Sequence, residues 1–216
     1  MSKQTVILDN KRSVKLPTSW RKRMALNLTD KLVGLIARSP ITPNAITWSG
    51  FIISLAAAAL VIYGQLLVAG LVAIVGGFLD MVDGGLARRT DRVTSFGSVL
   101  DSTLDRLSEA AILMGILVYF TIQDSTAGII ITALALPSSM MVSYLRAKAE
   151  AMDMTCEVGL LTRPERVIIL TLGLLLGGID YVLLAAVSIV TALSFITAGQ
   201  RFAHIRQQTR RNKSTR

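Results

Sequence analysis

The sequence predicts an all-α, polytopic membrane protein with six transmembrane helices and an N-terminal interfacial amphipathic helix. Three observations predict it. Of the 216 residues, 52% are hydrophobic, and the mean hydropathy of +0.56 is high for a soluble domain. Six apolar runs approach the roughly 17–25 residues that a helix needs to cross a bilayer. The 23 Lys and Arg are all absent from three of the turns between those runs, the asymmetry that sets membrane orientation.

Taken in order, residues 1–16 are polar and basic and are expected to be a flexible cytoplasmic N-terminus, with no apolar core and cleavage site of a signal peptide. An interfacial helix is expected over 17–39. In it Trp20, Met24, Leu28, Leu32 and Leu35 recur at helical spacing, with Arg21, Arg23, Asp30 and Lys31 interleaved. Ser39-Pro40-Ile41-Thr42-Pro43-Asn44 breaks it. The spanning runs follow at 45–63, 66–89, 97–121, 126–150, 164–178 and 181–203, within a membrane domain that closes near 205. The fifth is the shortest. Residues 206–216 read as a weakly ordered basic cytoplasmic tail.

The turns around Gly64, Asp124 and Asp180 carry no Lys or Arg, whereas the 88–92 and 146–166 regions and both termini do. Six helices with both termini on the cytoplasmic side of a cell membrane satisfy that pattern. A net charge of +9 suits anionic lipid head groups. Nucleic-acid binding is not expected, because the basic residues mark membrane ends rather than one face. The single cysteine, Cys156, has no intramolecular partner and reads as an unreactive loop residue.

Asp80, Asp83, Asp101 and Asp105 fall within these apolar runs. A carboxylate near the middle of a membrane helix costs roughly 2.5–3.5 kcal/mol on insertion scales, so four together need a shared counter-charge. On an α-helix, positions 80, 83, 84 and 87 lie within about 100° of one another, and Gly97, Asp101 and Asp105 share a face at every fourth position. Two antiparallel helices joined near 90–96 would bring those faces together as a cage of oxygen donors. Such a cage suits Mg²⁺ or Mn²⁺, as a pair of ions, and offers neither sulfur nor imidazole for zinc. Gly84, Ala87 and Gly97 leave room beside the carboxylates, although small residues also serve helix packing. Arg88 is a fork-shaped donor suited to a pyrophosphate oxygen.

The run from Asp80 to Asp105 resembles the signature of the CDP-alcohol phosphotransferase family, Asp-x2-Asp-Gly-x2-Ala-Arg-x8-Gly-x3-Asp-x3-Asp, at every fixed position. The looser resemblance covers nearly the whole chain. It implies displacement of CMP from a CDP-linked lipid by an alcohol, with divalent metal on the diphosphate. By the same resemblance Asp80, Asp83, Asp101 and Asp105 hold metal, and Asp105 also serves as general base. Asp83, Gly84, Ala87, Arg88 and Gly97 bind the CDP-lipid. A homodimer is also implied; Gly70, Gly76 and Gly77 are small residues that permit one.

A second constellation concerns the acceptor. Ser143-Tyr-Leu-Arg146-Ala-Lys148-Ala-Glu150, then Arg163-Pro164-Glu165-Arg166, then Arg201 place several cations near one membrane level. Ordinary positive-inside anchoring accounts for some of them; a phosphate-bearing acceptor accounts for their grouping. The combination resembles the inositol-phosphate-using branch of the family, the phosphatidylinositol-phosphate and archaetidylinositol-phosphate synthases. That implies contacts to the acceptor phosphate from Ser143, Arg146, Lys148, Arg163, Arg166 and Arg201. Glycerol 3-phosphate, and so phosphatidylglycerophosphate synthesis, is the alternative acceptor reading. A cation channel or carrier is the alternative of another class, since it too uses intramembrane carboxylates. Glu109 is expected to pair with Arg106 or to assist the site. His204 reads as a surface residue, and Met114, Met140 and Met141 as packing.

Overall fold

A computed structural model of the protein describes residues 42–89 and 94–214, and every regular element among them is a helix. The expected N-terminus 1–16 and interfacial helix 17–39 lie outside the described residues. Helix α1 (Pro43–Ile62) starts where expected: Thr42 Oγ1 accepts from the Ala45 amide at 3.3 Å, and Pro43 occupies the first turn. It ends at Tyr63, after which Gly64 at φ +74° reverses the chain. Helices α2 (Leu66–Arg89) and α3 (Ser95–Ile122) follow, the second capped by Thr94, whose hydroxyl accepts from the Gly97 amide at 2.9 Å. Helix α4 (Thr126–Glu150) is capped by Ser125. Helix α5 (Arg163–Leu175) opens with Glu165 accepting from the amide and hydroxyl of Thr162. Helix α6 (Val182–Ser214) closes the chain.

These boundaries lie close to those read from the apolar runs, with one departure. Helix α6 continues through the stretch expected to be a weakly ordered tail, to Ser214. The continuation is anchored: Gln208 Nε2 donates to the Thr155 carbonyl at 2.8 Å, and His204, half-buried rather than on the open surface, meets Gln208 at 2.7 Å.

The packed pairs form a closed circuit: α1 on α2, α2 on α5, α5 on α6, α6 on α4, α4 on α3 and α3 on α1. Sequence neighbours are therefore not always spatial neighbours, and α5 seals the ring between α2 and α6. The interior is made of small and apolar side chains, among them Ala57, Val61, Ala69, Leu113, Ile116, Leu174, Val187 and Val190. A Cβ on Gly115 would stand 2.7 Å from the Ala58 carbonyl oxygen, so α1 and α3 meet backbone to backbone. Polar Thr132, Ser194 and Thr197 are fully buried, while Ile52, Leu67, Leu71, Ile74, Phe195 and Ile196 face outward. Met114, Met140 and Met141 also face outward rather than packing inside. An apolar exterior around a partly polar interior is the arrangement for a lipid surrounding.

Among the described residues three helices are individually long and apolar enough to cross a membrane: Pro43–Ile62, Thr126–Glu150 and 182–210. The others fall short for identifiable reasons. In α2 the apolar stretch runs only over Leu66–Asp80, and in α3 Asp101, Asp105, Arg106 and Glu109 interrupt it. The 13 residues of α5 rise only about 20 Å at 1.5 Å per residue. Of the glycines offered for dimerisation, Gly70 lies against Leu175 and Gly76 against Ser54 within the chain; nothing lies within 4 Å of a Cβ on Gly77.

Candidate active site

The site lies at the end of the ring where α2 leads into α3 and α4 into α5. Asp80 sits on α2, and Asp101 and Asp105 lie one turn apart on α3. All three are partly buried. Asp80 and Asp105 are brought to one group, a side chain from a third helix, although α2 and α3 are not among the closely packed pairs. Arg163, the first residue of α5, places Nη2 3.0 Å from Asp80 Oδ2 and Nη1 2.6 Å from Asp105 Oδ2. Asp101 is within electrostatic reach of both Arg163 and Asp80. Among the described residues no three acidic, His or Cys side chains are gathered closely enough to hold an ion. The side chains of Asp83, Gly84, Ala87 and Arg88 lie outside the described residues, so the expected cage and CDP slot are described here from Asp80, Gly97, Asp101 and Asp105 alone. At Gly97 a Cβ would meet Thr94 Oγ1 at 2.9 Å and Asn44 Oδ1 at 3.3 Å, so the missing side chain makes way for the cap of α3 and for α1.

Asp105 also forms part of the wall of a cavity of about 400 Å³. Ser102 and Arg106 from α3, Ser143, Arg146 and Glu150 from α4, Thr162, Arg163 and Arg166 around the start of α5, and Arg201 from α6 complete it. Five of the six residues named for acceptor phosphate therefore line one space. Lys148, exposed on α4, does not.

The five are not equivalent. Arg146 is half exposed and pairs with Glu150 one turn along its own helix, at 2.8 Å. Arg201 is buried and spends Nε on the Val158 carbonyl at 3.0 Å and Nη1 on the Val142 carbonyl at 2.6 Å. It thereby ties α6 to α4 and to the 151–162 connection. Arg166 is fully buried. Its Nε and Nη2 grip the two oxygens of Glu109 at 2.6 and 2.8 Å, and Nη2 reaches Ser143 Oγ at 3.5 Å. Ser139 donates to the same carboxylate. Glu109 therefore does not pair with Arg106, which turns back to the Ser102 carbonyl. Its partner lies 57 positions away on another helix. Arg166 Nη1 and Arg163 Nε are buried with no hydrogen-bond partner among the described residues. Unpaired buried donors on arginine are costly, and here both arginines line a cavity that can supply an acceptor.

Gly50 was not among the residues singled out by sequence. A Cβ there would come within 2.8 Å of Asp80 Oδ1, so α1 presses a bare backbone against the carboxylate. The available signal was the spacing of Gly50, Ser54, Ala57 and Ala58, small residues on one face of α1, all of them buried.

Comparisons with known proteins give the family and the fold. A family model described as CDP-alcohol phosphatidyltransferase matches residues 40–199. The chain is 38% identical over 173 residues to an archaetidylinositol phosphate synthase of Methanothermobacter thermautotrophicus, covering 79% of this chain and 86% of that one. Its fold is similar to that of a phosphatidylinositol phosphate synthase of Mycobacterium tuberculosis crystallised with CDP-DAG bound. There the TM-score is 0.76 at 30% identity, over 83% of this chain and 94% of that one. The same enzyme in complex with manganese and citrate matches with a TM-score of 0.76 at 31% identity, over 82% and 88% of the two chains. Signature, ring of helices and charged cavity thus point one way, and the chain belongs to the CDP-alcohol phosphatidyltransferase family.

Proposed function

We propose that the protein transfers a phosphatidyl-type group from a CDP-linked lipid to a hydroxyl of a phosphorylated polyol, inositol 1-phosphate above all. The observation that carries this reading is the cavity. Five arginines stand against the two carboxylates of Asp105 and Glu150 in its lining, and Arg166 offers it an unpaired buried donor. That excess suits a phosphate dianion bound by charge-assisted hydrogen bonds. It does not suit a pathway for cations. Similarity to enzymes named for inositol phosphate lipids supports the same acceptor.

In the reaction the acceptor oxygen bonds to the lipid-side phosphorus, the bond from that phosphorus to the CMP oxygen breaks, and the hydroxyl proton passes to Asp105. Asp105 is suited to that role because it stands at the junction of the carboxylates and the cavity. Asp80, Asp83, Asp101 and Asp105 are oxygen donors, and two of them already surround a cationic group, so they fit a hard divalent cation. Mg²⁺ or Mn²⁺, as a pair, would neutralise the diphosphate and the departing CMP phosphate. Asp83, Gly84, Ala87, Arg88 and Gly97 would hold the CDP part. Ser143, Arg146, Arg163, Arg166 and Arg201 would face the acceptor phosphate, with Lys148 at the periphery.

We place all six helices across the cell membrane with the cavity and both termini toward the cytoplasm. The outward apolar side chains of the three less apolar helices support this: Leu67, Leu71 and Ile74 on α2, Leu107 and Met114 on α3, Ile168 and Leu172 on α5. Homodimer formation through an outer face is part of the same reading.

The test is CMP release from CDP-diacylglycerol by the purified protein, with inositol 1-phosphate, free inositol and glycerol 3-phosphate offered at equal concentration. Inositol 1-phosphate should be preferred, and EDTA should abolish turnover until Mg²⁺ or Mn²⁺ is restored. Preference for glycerol 3-phosphate would move the protein to phosphatidylglycerophosphate synthesis. Preference for free inositol would refute the phosphate cavity.

A further inference from the structure

We infer that Arg163 is an exchangeable counter-ion: it neutralises Asp80 and Asp105 while no divalent cation is bound, and turns into the cavity to hold the acceptor phosphate when one is. The inference rests on the proposed transfer to a phosphorylated acceptor and adds an order of events to it.

Four observations carry it. First, Arg163 bridges carboxylates from two different helices through its two terminal nitrogens, at 3.0 and 2.6 Å. A structural guanidinium such as Arg166 instead grips one carboxylate through Nε and Nη2. Second, Arg163 Nε is left without a partner, so its present contacts do not exhaust its donors. Third, its side chain is 26% exposed against 1% for Arg166, which leaves it room to change rotamer. Fourth, it already lines the cavity with Arg166, Arg201 and Ser143. Movement of one long side chain at the first position of α5 suffices, and no helix has to shift.

The charge balance makes the exchange favourable in one direction. The carboxylates of Asp80 and Asp105, with Asp101 close by, need cations in this partly buried site, and Arg163 supplies a single positive charge. Once a pair of divalent ions meets that need, the guanidinium becomes an excess positive charge beside them and is repelled toward an anion. The exchange also frees Asp105. An oxygen held at 2.6 Å by Arg163 has to be released before it can accept a hydroxyl proton. Divalent cation and acceptor phosphate should therefore bind with positive and reciprocal coupling.

The experiment reads metal affinity rather than turnover. The full chain in detergent is titrated with Mn²⁺, and free Mn²⁺ is followed by its paramagnetic resonance signal, with and without inositol 1-phosphate, after subtraction of protein-free mixtures. Inositol 1-phosphate should tighten Mn²⁺ binding to the native protein by about fivefold or more, the lower end of ordinary coupling. Arg163→Ala, and Arg163→Gln as a second variant that keeps the side chain's length, should bind Mn²⁺ more tightly than the native chain and show no response to inositol 1-phosphate. Unchanged or weakened Mn²⁺ binding in both variants overturns the inference and makes Arg163 a plain strut, whatever acceptor the CMP-release assay favours. Tighter Mn²⁺ binding in the variants, with no effect of inositol 1-phosphate on the native protein, overturns it from the other side, through failure of the phosphorylated-acceptor reading.

Discussion

Two arginines one helical turn apart on α5 occupy opposite regimes. Around Arg166 the side chain is fully buried at the cavity wall and firmly held, by a two-pronged grip on Glu109 and a second hold on that carboxylate from Ser139. Around Arg163 the surroundings are open on one side, and the guanidinium spans two carboxylates on separate helices at the mouth of a cavity. The inner pair joins α3 to α5 and cannot be released without leaving a charge in an apolar interior. The outer set is held by a partly exposed cation, the one inferred above to be exchangeable. Identical chemistry thus yields a fully buried tie in one place and a partly exposed bridge in the other, and the difference is burial.

The sharpest way to test that division is Asp105→Asn. If the outer region works rather than supports, transfer should fall by about 10²–10⁴-fold, the usual contribution of a general base, with thermal unfolding and CDP-lipid binding retained. A variant keeping more than about a tenth of the native rate would refute the assignment.

Breaking the inner pair should have the opposite character. Arg166→Ala strands the Glu109 carboxylate and should cost about 3–5 kcal/mol of stability, read as thermal unfolding in detergent. Replacing both partners by apolar residues of similar size, Glu109→Leu with Arg166→Met, should recover most of that stability without restoring affinity for the acceptor. Undiminished stability in Arg166→Ala would mean that the inner pair is no strut.

A smaller effect is expected at the seam between support and chemistry. Gly50→Ala brings a methyl group to within 2.8 Å of Asp80 Oδ1. The short carboxylate has to turn away, at about 1 kcal/mol, the low end for overpacking, which as a loss of Mn²⁺ affinity is roughly fivefold. Unfolding temperature should move little. A large loss of stability with intact metal binding would place Gly50 in the strut region instead.

Much of this could be read from the chain because its punctuation is strong. Thr42-Pro43, Gly64, Thr94, Ser125 and Thr162-Arg163-Pro164 mark helix ends within a residue or two of where they fall. The carboxylates of α3 and the grouping of Arg146, Arg163, Arg166 and Arg201 were legible for a similar reason, since charge in an apolar run is conspicuous. What was not legible depended on which helices touch. Glu109 lies three positions from Arg106, a spacing that suggests a pair on one helix, yet it bonds to Arg166, whose long side chain reaches it from α5. The Gly50 contact with Asp80 needs the α1–α2 interface. The continuation of α6 past the apolar run was hidden because hydropathy falls there, while the polar contacts of Gln208 and His204 hold the helix together.

The contact between Arg163 and the Asp105 carbonyl, at 3.4 Å, joins residues 58 positions apart. At ribosomal speeds of about 5–20 residues per second, that separation amounts to roughly 3–12 s between the synthesis of Asp105 and that of Arg163. In that interval Asp80 and Asp105 exist without Arg163, so the bridge between them can form only after the start of α5 has been made. The last cation of the cavity, Arg201, arrives later still. A product stopping before α5 would therefore carry Asp80, Asp101 and Asp105 without Arg163, Arg166 and Arg201, three of the arginines that line the cavity.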